Sequence, residues 1–123
     1  MRIGVDKLEE TIRAELDSYS REVGWQVDEA AVKVARKALR RLKQTSPDRT
    51  GAYRKGWALK QDRERSRVLA TIYNKTRYML IHLLEHGHQK ASGGRVEGQP
   101  HMGPVMDQAE EEFVSEVTQR LGG

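Results

Sequence analysis

His82, Glu85 and His86 stand in the order His-x-x-Glu-His, and His88 and His101 complete the chain's 4 histidines. On a helix, residues four apart share a face. Two imidazoles so placed can grip a zinc ion while the glutamate between them acts as base, the order used by inverse-zincin peptidases. A hydrolytic zinc centre also needs a third protein ligand from another element. Downstream, the candidates are Glu110, Glu111, Glu112 and Glu116, which a solvated helix face explains equally well. Gly87 follows the motif at once, so the residues sit at a fraying helix end. Two other readings use the same side chains: a non-catalytic metal site from His82, His86, His88 and His101, or hydrogen bonds from Glu85 and the histidines that tie loop ends together. With no cysteine, thiolate metal sites and disulfides are excluded. The chain has no Gly-rich phosphate loop ending in Lys-Ser/Thr, and Ser92-Gly93-Gly94 is not a nucleophile elbow.

The second candidate chemistry is electrostatic. Lys33, Arg36, Lys37 and Arg40 follow i, i+3, i+4, i+7 and share one helical face, with Arg41 and Lys43 nearby. Such a stripe can meet phosphates, as in a small DNA-binding protein. It is equally a solvated face whose cations suit a helix C-terminus. The net charge of +4 permits nucleic-acid contact without demanding it. Aromatic residues, at 6%, are too sparse for a base-stacking platform, so any such contact is to the backbone and independent of sequence. Gly93, Gly94 and Arg95 lie in a polar stretch, 88–100, read as a loop. Loops of that length are usually functional or ordered by a partner, and a partner is favoured here.

These residues need a scaffold. From Val5 to Leu42 apolar residues recur at steps of three and four, which predicts a helical region over 6–44. Asp6 and Glu9 suit a capping box, and Gly24 marks a kink or break between helices 6–22 and 26–44, although the unbroken phase also fits one continuous helix. Pro47 to Gly51 gives turn chemistry. A β-hairpin is predicted over 53–74, with strands 53–61 and 67–74 around a charged turn at 62–66. A short helix over 78–87, the loop 88–100 and a closing helix over 104–121 follow. Pro104 suits that helix's first turn. The whole is one α+β domain: long N-terminal helices on a small antiparallel sheet, then a short central helix, a long loop and a C-terminal helix. Only 37% of residues are hydrophobic against 33% charged, a thin core that predicts burial against other subunits. The opening residues lack an apolar leader core, and no apolar run approaches a membrane span, which predicts a cytosolic, soluble protein without membrane contact.

Three segments, in order, resemble a known family. They are Pro47, Thr50, Gly51 and Arg54; then Tyr78 with His82-Leu-Leu-Glu85, Gly87 and His88; then Gly93-Gly94-Arg95-Val96 with Pro100, His101, Met102 and Pro104. Their order and spacing over roughly 28–120 is similar to the small head–tail joining, or tail-completion, proteins of long-tailed phages and prophages, also known as neck or minor tail components. Tyr53 departs from the plain aliphatic residue common there. The resemblance implies a structural virion protein with no enzymatic activity, cofactor or metal. It makes the residues just named, the histidine motif included, a structural signature. It also implies a ring, commonly hexameric, between the head connector or stopper and the tail-tube or tail-terminator proteins, with the genome passing through the lumen. Lys33, Arg36, Lys37 and Arg40 then face DNA or a partner. The implied location is the virion, reached by assembly in the host cytoplasm.

Overall fold

A computed structural model of the chain describes residues 3–47, 51–65 and 67–122, with the backbone alone for 3–8. Thr50 lies outside the described residues. The described architecture is α+β: α1 (Ile3–Thr45), α2 (Ala52–Gly56), β1 (Trp57–Glu64), β2 (Arg67–Asn74), α3 (Leu80–His86), β3 (Gly87–Gln89), β4 (Arg95–Glu97) and α4 (Met102–Gly122). β1 pairs antiparallel with β2, and β3 with β4. The β1–β2 hairpin and α4 both pack on α1.

Four sequence expectations change. The 6–22 and 26–44 helices are a single helix of 43 residues, about 65 Å long at 1.5 Å per residue. Its apolar phase runs through Gly24 unbroken, and Arg67 crosses α1 there: a Cβ at Gly24 would lie 2.9 Å from Arg67 Nη1. Because α1 already runs at Ile3, Asp6 falls within the helix and not at its cap. Tyr53 does not begin a strand. It lies in α2, which Gly51 starts in the left-handed conformation (φ 84°), and the strand begins at Trp57 and runs on to Glu64. The stretch 88–100 is not wholly loop, because β3 and β4 form a small hairpin turned by Gly93 and Gly94, both at positive φ.

The core gathers where these elements meet. Ala38 and Leu42 of α1, Tyr53, Trp57 and Val105 are buried, with Leu84, Ile72 and Met106 packed around them. The two large aromatic rings meet edge to face, 5.3 Å between centroids. Burial obliges their polar atoms to find partners. Trp57 Nε1 donates to Ser46 Oγ at 2.8 Å, and that hydroxyl donates to the Leu42 carbonyl. Arg54 Nε donates to the Ser46 carbonyl, so the segment after α1 is held from two sides. Asn74, also buried, donates to the Tyr53 carbonyl at 2.7 Å and accepts from the Thr76 and Arg77 amides at 3.2 and 2.8 Å.

Gly56 lies against that asparagine. A Cβ there would sit 2.4 Å from Asn74 Oδ1 and 2.1 Å from Thr76 Oγ1. Gly56→Ala is therefore expected to cost about 1–3 kcal/mol, read from denaturant midpoints. Gly24→Ala meets only the end of a flexible guanidinium and recovers up to about 1 kcal/mol of helix propensity, so its midpoint stays level or rises.

Candidate functional site

α3 ends at His86 because Gly87 takes φ 79°, and its amide closes on the Leu83 carbonyl. The chain leaves along β3, turns, and returns along β4 so closely that a Cβ at Gly98 would meet the Glu85 carbonyl oxygen at 2.5 Å. The Gln99 amide donates to the Leu84 carbonyl at 2.7 Å, and Arg95 Nη2 to the His86 carbonyl at 2.7 Å. These contacts set the first turn of α4 directly over Glu85.

A helix start leaves its first four amides without intrahelical partners. Here Glu85 Oε1 accepts from the amides of His101 and Met102 at 2.9 and 2.8 Å, and Oε2 accepts from Gly103 at 2.8 Å. The next residue, Pro104, has no amide to satisfy. One carboxylate from α3 thus caps the whole N-terminus of α4, where the helix dipole also favours negative charge. Burial pushes the Glu85 carboxyl up, but the three amides and the nearby His101 outweigh it and hold the group below its ordinary value.

The His101 side chain is buried beneath this cap. Its Nδ1 lies 2.8 Å from the Gln99 carbonyl and 3.1 Å from Glu85 Oε1, and its Nε2 lies 2.6 Å from the Tyr53 hydroxyl. A carbonyl can only accept, which assigns the proton to Nδ1. In the neutral ring Nε2 then accepts from the tyrosine. Burial, together with the Glu85 charge, pushes the Tyr53 hydroxyl up to about 12, so it stays protonated and remains a donor. A continuous path of polar contacts and packed rings thereby joins α4, α3, α2 and the end of α1.

The other predicted site residues are placed differently. His82 and His86 are exposed, with rings 4.8 Å apart. Glu85 is turned away into the cap, so it is not free to act as a base between them. His88 is half-buried and its Nδ1 has no hydrogen-bond partner. Among the described residues, no group of three or more His, Asp or Glu side chains is placed to hold a metal ion. Tyr78 and Pro100 are exposed. Gly93 and Gly94 serve the hairpin turn, where the Lys90 amide donates to the Gly94 carbonyl at 3.0 Å.

The basic stripe is divided. Lys33 Nζ pairs with Glu116 at 3.0 Å, and Lys37 lies in the same groove between α1 and α4, whereas Arg36 and Arg40 are exposed. Arg41 pairs with Glu112 at 2.6 Å. That hydrogen bond holds the Glu112 carboxyl below its ordinary range, and Glu116 is lowered likewise by Lys33 and Arg120. Two of the four acidic residues read as a solvated face therefore bind α4 to α1. Sequence reasoning missed Tyr53, Trp57 and Ser46 as partners of the latch that Glu85 and His101 form between α3, α4 and the core. The four-residue spacing of Tyr53 and Trp57 was the available signal.

Residues 10–87 match the sequence model of a family described as "Bacteriophage HK97-gp10, putative tail-component". That is more than half of the chain. The chain belongs to the HK97-gp10-like phage tail-component family. As a member it is a structural protein of the virion, working alongside other virion proteins. No curated protein and no solved structure is significantly similar to it. No described helix of this tail component is long and apolar enough to cross a membrane. The match ends at Gly87, so Glu85 lies inside it while His101 and α4, the helix that Glu85 caps, lie beyond.

Two outcomes check the latch. A carboxyl held below its ordinary value of 4.5 adds stability that is complete above that value and is lost as pH falls through the folded-state value. Glu85→Gln should thus lower stability near pH 7 by about 1.5–3 kcal/mol, and its deficit against the parent should narrow as the pH drops below the carboxylate range. Tyr53→Phe strands a buried imidazole nitrogen and should cost about 1–3 kcal/mol by denaturant unfolding.

Proposed function

We propose that this tail component is a neck or tail-completion subunit. It assembles with copies of itself into a ring, of hexameric order, between the head connector or stopper and the tail-tube or tail-terminator proteins, and the genome passes through the lumen. It works by assembly and not by catalysis. The observation that carries the proposal is the first part of α1. Residues 9–22 are all exposed, and among them Ile12, Leu16 and Tyr19 are 47%, 61% and 71% exposed. A helix with a bare apolar stripe is costly in water and is relieved by burial against another chain. The commitment of Glu85 to backbone amides supports a structural use of the histidine motif. Arg36 and Arg40, exposed on α1, offer a weak, sequence-independent contact to DNA in the lumen.

The test uses particles of the encoding phage made without this protein. Filled heads and separate tails are expected, with joining and infectivity restored by adding the purified chain and a ring visible at the junction by electron microscopy. Normal joining without the protein would contradict the proposal.

A further inference from the structure

Charge is segregated along α1. Residues 9–22 hold Glu9, Glu10, Glu15, Asp17 and Glu22 against Arg13 and Arg21, whereas 33–43 carry six basic residues and no acidic one. In the acidic arm, Ile12, Leu16 and Tyr19 continue the helical face that farther along covers the core through Ala30, Val34 and Ala38. α4 reaches that face near Gln26, which accepts from Arg120 Nη1 at 3.0 Å, whereas residues 9–22 are all exposed. Beyond that point the stripe is bare, flanked by Glu9 on one side and by Glu15 and Glu22 on the other.

A complementary surface lies on the other side of the same helix. Between α1 and the tip of the β1–β2 hairpin is a groove of about 350 Å³, lined by Arg21, Trp25, Asp28, Arg63 and Arg67 among others. Arg67 Nη2 is 3.4 Å from Asp28 Oδ1, so one arginine is answered. The side chains of Arg21 and Arg63 make no ion pair or hydrogen bond among the described residues. Trp25, 55% exposed, offers an apolar wall. The groove is thus positive and aromatic where the arm is negative and apolar.

We propose that the arm of one copy docks in the Arg21–Arg63 groove of a second copy, head to tail. The stripe cannot fill its own groove, because one wall of the groove is a later part of the same uninterrupted helix, which carries Ile12 and Leu16 away from it on its opposite side. Since arm and groove are different surfaces, the contact is heterologous and repeats from copy to copy, which gives a ring when the rotation between copies closes. This deepens the ring reading above and rests on it.

The experiment is sedimentation of the full chain at low salt over a wide concentration range, for the parent, for an arm variant (Glu9→Lys with Glu15→Lys) and for a groove variant (Arg21→Glu with Arg63→Glu). All four positions are exposed or rim a groove, and circular dichroism checks that both variants fold. The parent is expected to associate, and each variant to associate about tenfold or more weakly. An equimolar mixture should return to parental strength, because each reversed surface then meets its opposite and each unchanged surface meets its own. A structural defect would not be repaired by mixing. If both variants associate like the parent, or the mixture fails to recover, the docking is wrong while the ring can stand on another surface. A parent that stays monomeric throughout also overturns it, giving the arm to a different protein, and the head–tail joining assay then judges the ring separately.

Discussion

A single carboxylate takes the place of the carbonyls that a helix start lacks. Glu85 receives the amides of His101, Met102 and Gly103, and Pro104 supplies no further amide. Charged hydrogen bonds of this kind are worth more than neutral ones, and their loss would strand three donors together. The contact also fixes position. α4 can begin only where Glu85 stands, Glu85 stands where Gly87 ends α3, and the return of the chain at Gly98 allows no side chain between them. His101 then reaches Tyr53 under the cap, which carries the constraint into the core. Lys33 and Arg41 hold the rest of α4 along α1 through Glu116 and Glu112. The partly exposed pairs contribute little individually, so the cap and the buried rings set the arrangement and the ion pairs keep its register.

The residues that matter most were visible in the sequence, but their roles followed from contacts that spacing does not encode. The helical periodicity of α1 and α4 and the alternation in β2 were legible because each reports one face against the core. Gly24 misled because its helix penalty is local, whereas the continuous apolar phase and the crossing Arg67 act through packing. Tyr53 was read as a strand residue because aromatic residues favour strands, yet Gly51 starts a helical turn just before it. The His-x-x-Glu-His order suggested metal chemistry by resemblance of pattern. Its glutamate answers a helix start sixteen residues downstream, a distance no local rule covers. The division of the basic stripe was hidden for the same reason: Lys33 and Arg36 differ only in which of them α4 reaches.

For a virion component this architecture has a clear logic. The latch makes a firm body from a thin core, and α1 extends beyond that body with apolar side chains in water. Stability is concentrated where the chain closes on itself, and the surface left unfinished is the one suited to a neighbour. Of the histidines, the buried His101 links the Tyr53 hydroxyl to the Gln99 carbonyl, while His82 and His86 are exposed.

The most direct test of the central claim is an NMR titration of the Glu85 side-chain carboxyl carbon, with the amides of His101, Met102 and Gly103 followed in the same samples. Glu85 should titrate below its ordinary value of 4.5, and the three amides should shift with the same midpoint. A carboxyl that titrates at or above that value, with the amides indifferent to it, would mean that Glu85 does not cap α4.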